Sequence, residues 1–441
     1  MKSHIINNLY KIINSQISLR KKIKKINHLE KKNQLFEYNK NAYLKWDYFR
    51  LIITRLLNKS EETHKKDLIQ NIKNDLINKL IYLEHLPFFF DDNKKDIIFF
   101  GHNRGRLKKN LLYDEYLDNL IKFLPKKKIQ IFSECHFHYG AKYNYKFKRK
   151  YINYLNFLIK IKARLLYFFV FKEIINIKNI NFRLELIFQS EMEEWWFNYL
   201  RKVKAKFIFI VNLNSYLYIV RAANRLKISV LEVQHGSPNF SKLQYNFTTN
   251  PNLRLSSCSY FLGWGKFWNN YVTKNYYKNE FITIGKDLSN KIISPKKNVS
   301  DILVLDQLQF RKILVNKAIE LSRKHKKITY RFHPNISLKS NEIIKLKKNN
   351  ISISEPKSND IKEDLKNVKY IIGVASTALL ELAQKGYKVL FLKSSEFDFS
   401  KIKSKKKYFG LCMLDNKQIK KKKVFDKINY SQIKKIVNNK Y

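Results

Sequence analysis

The segment that most restricts how this chain can fold is Tyr370-Ile-Ile-Gly-Val-Ala-Ser-Thr-Ala-Leu-Leu-Glu-Leu-Ala-Gln-Lys-Gly386, followed by Tyr387-Lys-Val-Leu-Phe-Leu392. It reads as strand, tight turn, helix, turn, strand. The apolar run 370–374 has the length and β-branching of a strand buried on both faces, as in a parallel sheet. Ala378 to Ala383 is strongly helix-forming. Ser376 and Thr377 stand where that helix starts, and Gly386 stands where it stops. Gly373 lets the backbone turn closely at the strand's end. Such a helix start offers N–H groups, two hydroxyls and the positive end of a dipole, a setting that suits phosphate. Glu381 lies one turn beyond Thr377 on the same face, within reach of a ribose hydroxyl if a nucleotide is bound. Taken alone, the segment also reads as an ordinary capped helix of an α/β domain.

At 441 residues the chain exceeds one ordinary core, which predicts two domains. Its 44% hydrophobic share is enough to fill them and excludes a disordered chain. The formal charge of +52 has three readings: a nucleic-acid partner, an anionic membrane face or phosphate-bearing substrate, and base-composition drift toward Lys, Ile and Asn. Lysines occur in nearly every segment rather than in one stripe, which favours drift and counts against nucleic acid. Three scattered cysteines, Cys135, Cys258 and Cys412, predict a reducing compartment and neither disulfides nor a cysteine metal site. The first residues lack the apolar core of a signal peptide. The greasiest run, Leu165 to Phe171, is too short to span a bilayer.

Residues 1–86 read as a helical extension with no catalytic pattern. The first strong strand, Asp96 to Gly101, runs into Gly-His-Asn-Arg-Gly-Arg106. Arg104 or Arg106 is a candidate acceptor or phosphate contact there, and the same residues also read as a solvated basic turn. Tyr113 to Phe123 reads as a helix, and Lys128 to Glu134 as a strand leading into Cys135-His-Phe-His138. That cluster has no further ligands nearby, so no metal is expected. Residues 141–177 are basic, aromatic and amphipathic, and read either as a packed helix or as one lying on lipid. Glu191 to Phe197, an acidic and Trp-rich knot, is expected to open a helix before the strand Lys206–Asn212. Helix 214–226 follows, and then a strand ending in Gln234-His235-Gly236. Histidine at the end of a buried strand, with Gly beside it and Pro238 close behind, is placed to act as a base or a phosphate donor. Strands 259–265 and 281–285 precede a linker-like stretch at Pro295. Strands and helices then alternate to residue 392, with His333-Pro334 at the end of strand 328–332, which predicts a parallel sheet.

Four signals thus occur in order: Gln234-His-Gly236, Phe281-Ile-Thr-Ile-Gly285, His333-Pro334, and Ser376-Thr377 with Glu381. Over roughly residues 95–395 the chain resembles the GT-B glycosyltransferases of bacterial capsule and lipopolysaccharide synthesis, which are similar to bacterial sialyltransferases and CDP-glycerol glycerophosphotransferases. Leu231-Glu-Val-Gln-His-Gly and Tyr260-Phe-Leu-Gly-Trp-Gly-Lys-Phe-Trp carry the resemblance most specifically. It implies two Rossmann-like α/β domains facing each other across a cleft: a helical extension 1–90, an acceptor domain 91–292 and a nucleotide-donor domain 293–441. His333, Gly373, Ser376 and Thr377 would hold the donor's phosphates, and Glu381 its ribose. Arg104, Arg106 and Gln234 would contact acceptor or phosphate. The acidic pair that serves as base in the sialyltransferase-like relatives is not found after a strand here. By analogy with the glycerophosphotransferases that the chain resembles, His235 is the expected base, with Glu134 as the alternative. The implied partners are a nucleotide-sugar donor and a glycan or glycolipid acceptor, with no metal or other cofactor. The implied location is cytoplasmic, including the inner face of the cytoplasmic membrane. A nucleic-acid-binding protein, a glycerophosphotransferase and a nucleotide-sugar epimerase of the same fold are the alternatives.

Overall fold

Short runs of consecutive apolar residues build the centre of each sheet. Ile97-Ile-Phe-Phe100 and Phe207-Ile-Phe-Ile210 are buried at every position, as strands covered on both faces must be. A computed structural model of the chain describes residues within the spans 3–58, 94–133, 142–169, 180–238, 255–288 and 301–439. Excepted are the runs 16–18, 36–44, 102–105, 109–110, 125–128, 144–148, 273–280, 308–309, 325–326, 334–339, 357–360 and 394–398, and the single positions 34, 115, 152 and 287. Residues 1–263, 271–283 and 429–441 form one unit, and residues 264–270 and 284–428 form another.

The first unit is built on seven parallel strands: β1 (Ile97–Phe100), β4 (Ile129–Ser133), β6 (Arg149–Tyr151), β7 (Phe207–Ile210), β8 (Ser229–Val233), β9 (Tyr260–Gly263) and β10 (Phe281–Thr283). A small sheet is formed by β2 (Arg106–Lys108), β3 (Leu111–Tyr113) and β5 (Lys142–Tyr143). The main sheet runs β10-β9-β8-β7-β1-β4-β6. The chain winds outward from β1 to β6 and returns to β7 on the other side of β1. The strand order therefore reverses between β1 and β7, where doubly wound sheets open a crevice at their strand ends.

Helices Ser3–Asn14, Leu19–Lys32 and Trp46–Asn58 share one hydrophobic core with this sheet and with helices Asn153–Phe169, Ile180–Val203 and Leu217–Arg225. A buried ionic knot fastens them. The Arg221 guanidinium donates to Glu193 (2.8 Å) and pairs with Asp47. Glu193 also accepts from Lys45 (3.1 Å) and from the Tyr48 hydroxyl (2.5 Å), and Asp47 accepts from Ser256 (2.9 Å). Burial alone would raise the Glu193 carboxyl, but the Arg221 and Lys45 cations and the two side-chain hydrogen bonds outweigh it and lower it to about 2. Burial lowers Lys45 against the opposing pull of Glu193.

In the second unit, β11 (Asp301–Leu305), β12 (Ile328–Arg331), β13 (Ser352–Ser354), β14 (Val368–Gly373) and β15 (Lys388–Phe391) run parallel in the order β13-β12-β11-β14-β15. Antiparallel β17 (Leu411–Leu414) and β16 (Lys403–Tyr408) extend the sheet beyond β15. This antiparallel edge lies beyond residue 392, where the expected alternation ends. The outermost strand, Lys-Ser-Lys-Lys-Lys-Tyr, exposes Lys403, Lys405, Lys406 and Lys407, which discourages edge-to-edge pairing with another sheet. Here the order reverses between β11 and β14.

Two expectations are corrected. Tyr113 ends a strand, and the helix after it spans only Asp118–Lys122, because the Asp114 carboxylate accepts from the backbone of Tyr116 and Leu117 and holds a turn instead. Glu191 to Phe197 lies in the middle of the 24-residue helix Ile180–Val203 rather than opening one. Its charged members are satisfied by tertiary partners that the local sequence does not contain.

The glycine-bearing signals 264–268 and 284–286 both dock on the strip 423–428 within the second unit. Trp268 Nε1 donates to the Val424 carbonyl (2.7 Å), Phe267 N to that of Lys423 (3.2 Å) and Lys286 N to that of Asp426 (3.0 Å). A Cβ at Gly265 would sit 2.2 Å from the Lys423 carbonyl oxygen. At Gly285, with φ +76°, it would sit 2.2 Å from that of Lys427. Only glycine admits so close an approach of two backbones.

Candidate functional site

The second unit gathers polar groups at the C-terminal ends of its parallel strands, on both sides of the reversal point. After β11 come Asp306 and Gln307. The Gln307 amide oxygen accepts from Ala375 N (3.0 Å), tying that strand's end to the turn that follows β14. Asp306 accepts from Arg311 (Nη2 to Oδ2, 2.6 Å), from the Tyr330 hydroxyl (2.9 Å) and from His333 N (3.4 Å). Burial, with the Asp306 charge adding to it, pushes the Tyr330 phenol well above its ordinary range, so it stays a neutral donor. Asp306 thereby fixes the backbone of His333, a half-buried residue at the end of β12.

Beyond the turn, Ser376 caps helix Thr377–Gln384: its hydroxyl oxygen accepts from Ala378 N (3.2 Å). A capping hydroxyl keeps its own O–H as a donor. Ser376 and Thr377 are both half-buried. Leu379 of the same helix folds over Gly373, where an added Cβ would meet its methyl carbons at 2.9 Å. The helix stops at Gly386, φ +99°. Glu381 pairs with Lys286 Nζ at 2.5 Å, and that ammonium stands 3.7 Å from the centre of the Trp264 ring. The carboxylate expected to hold a ribose is thus presented on a lysine from another part of the chain.

In the first unit, Gln234 continues β8. Its N–H donates to the Leu262 carbonyl (3.0 Å) and its side-chain amide to that of Gly236 (3.0 Å). The Tyr116 hydroxyl donates to the His235 carbonyl (3.2 Å), so the backbone of this turn is held from both sides. His235 is half-buried. At the reversal point, the Tyr216 hydroxyl donates to the Gly101 carbonyl (2.6 Å) as β1 ends. Arg104 and Glu134 lie outside the described residues, as does Cys135 to His138. Arg106 begins β2, and its side chain too is outside the description.

His333, Gly373, Ser376, Thr377 and Glu381 therefore fall together on the second unit, and Gln234 and His235 on the first. Sequence reasoning missed Asp306, Gln307 and Lys286. The first two had a readable signal, a polar pair directly after the buried run Ile302–Leu305. Lys286 had none, because its partner is 95 positions away. Among the described residues, no group of three His, Cys, Asp or Glu side chains is arranged to hold a metal.

No protein family and no curated protein matches this chain. Solved structures do. The UDP-GlcNAc 2-epimerase of Methanocaldococcus jannaschii matches at 15% identity over 78% of this chain and 99% of its own, with a TM-score of 0.41. A mutant of TarM from S. aureus, in complex with fondaparinux, alpha-GlcNAc-glycerol and UDP, matches at 11% over 78% and 93%, TM-score 0.43. The lipopolysaccharide outer core galactosyltransferase WaaB matches at 12% over 69% and 81%, TM-score 0.38. Likenesses this distant say nothing of activity, and the two-sheet α/β architecture rests on the strand pairing itself.

Proposed function

We propose that the protein is a glycosyltransferase that moves a sugar from a nucleotide-activated donor to a surface-polysaccharide or lipopolysaccharide acceptor. The observation that carries this reading is the turn after β14. A Ser-capped helix start, a carboxylate one helical turn further and the imidazole that follows β12, two strands away across β11, occur on one strand-end edge of a doubly wound sheet.

In this reading the donor's phosphates lie at Ser376, Thr377 and His333, and its ribose at Glu381. As the sugar leaves, negative charge builds on the departing phosphate. Fixed hydroxyls, N–H groups and a cationic imidazole stabilise that charge where it develops. His235 takes the acceptor hydroxyl's proton as the new bond forms. Lys286 sets the position of the Glu381 carboxylate.

The test is a thermal-shift screen with CMP, CDP, UDP and GDP, followed by product analysis with the matching nucleotide sugar. One nucleotide is expected to raise the unfolding temperature at micromolar concentration, and Ser376→Ala with Thr377→Ala to abolish that rise. No shift with any of them overturns the proposal. A nucleotide sugar isomerised without an acceptor assigns the chain to epimerisation instead.

A further inference from the structure

Helix Asn153–Phe169 has two apolar faces, and the described residues cover one of them. Leu155, Ile159 and Ala163 are buried in the first unit's core, with Leu166 and Tyr167 packed beside them. This side lies against helix Ile180–Val203, where Arg183 donates to the Tyr167 hydroxyl (3.0 Å) and Lys162 pairs with Glu191 (2.6 Å). On the other side, Leu158, Ile161, Leu165, Phe168 and Phe169 recur at spacings of three and four residues. They are 43%, 40%, 63%, 79% and 82% exposed. At helical pitch these five fall within an arc of about 100°. Exposed Lys162 borders the arc on one side and exposed Arg164 on the other, with Lys160 beyond it. A single exposed leucine is ordinary, but five large apolar side chains in one stripe mark a contact surface.

We propose that this face of the helix lies in the headgroup region of an anionic lipid surface. The charge decides the occupant. An apolar stripe edged by lysine and arginine matches the boundary between acyl chains and acidic headgroups. A formal charge of +52 draws the whole chain toward such a surface. A second copy of the same chain would bring the same cationic border and an equal net charge against it, which opposes pairing through this face. This helix has 17 residues and carries Lys160, Lys162 and Arg164, so it suits lying on a surface rather than crossing it; among the described residues, no helix is long and apolar enough to cross a membrane. The inference goes beyond the transferase reading and stands or falls without it.

The experiment is co-sedimentation of the full chain with vesicles of phosphatidylcholine alone, or of phosphatidylcholine with about a third phosphatidylglycerol. Binding to the anionic vesicles is expected to weaken about tenfold or more when Phe168→Ser and Phe169→Ser are combined, since two large apolar groups then leave the acyl boundary. Both side chains are exposed, so the unfolding temperature should stay where it was. Lys160→Glu with Arg164→Glu should weaken binding several-fold and flatten its salt dependence. Unchanged partitioning of the double serine variant, or equal binding to neutral and anionic vesicles, overturns the proposal. So does a self-associated species, seen by sedimentation velocity, that the serine variant dissolves while the wild type ignores vesicles.

Discussion

Two polar clusters, one in each unit, put their side chains to opposite uses. In the first, Glu193, Asp47, Arg221 and Lys45 are withdrawn from solvent and bonded within one knot. In the second, His333, Ser376, Thr377 and Glu381 are half-buried at strand ends and at a helix start, where a ligand can reach them. The first arrangement holds helices on a sheet, and the second is the donor site of the proposed transferase. A strongly shifted carboxyl is therefore not by itself a mark of function: Glu193, the carboxyl lowered to about 2, sits inside the structural knot.

The contrast is sharpest if the knot is cut. Arg221→Ala should cost about 3–5 kcal/mol, because it removes the guanidinium that two buried carboxylates, Asp47 and Glu193, share. Urea unfolding measures this, and a loss below about 1 kcal/mol would show the knot to be solvated after all.

Acid should reach the same knot more gently. The folded Glu193 carboxyl lies below its ordinary value of 4.5, so its contribution is complete above that pH and is lost as pH falls toward about 2. The change is on the order of 3 kcal/mol. Glu193→Gln should remove that acid limb from a stability–pH curve. An identical limb in the variant would assign it to other carboxylates.

His235→Ala and His333→Ala should each lower transfer by about two orders of magnitude or more, through a lost proton acceptor or charge-stabilising contact. Their urea midpoints should stay near that of the wild type. Wild-type rates in both would take these residues out of the proposed site and leave the half-buried cluster with no use to set against the knot.

The smallest effect compares two glycines. Gly285→Ala meets a backbone oxygen and a left-handed φ, and should cost on the order of 2 kcal/mol. Gly236→Ala has open space and should change stability by less than about 0.5 kcal/mol. Equal midpoints for the two would show that the strip 423–428 yields.

Much of this layout was legible in one dimension. The burial of Ile97–Phe100, Phe207–Ile210 and Ile302–Leu305, the Ser376 cap and the Gly386 stop each depend on a few adjacent residues. Strand ends could be read the same way, which is why His235 and His333 were found there. The glycine-bearing signals were legible as signals but not as parts of a seam. Nothing near Gly265 or Gly285 announces that residues 423–428 will press against them.

The amino-acid order thus determined the elements and their direction, because apolar period, capping and turn chemistry act over three or four residues. Only the tertiary structure decided the pairings. It set Glu193 beneath Arg221, Glu381 on Lys286, His333 on Asp306, and one apolar side of helix Asn153–Phe169 toward the core while the other faces out. The three pairs join residues 27 to 95 positions apart. Their energies come from burial and from low-dielectric contact, which exist only once the chain has folded.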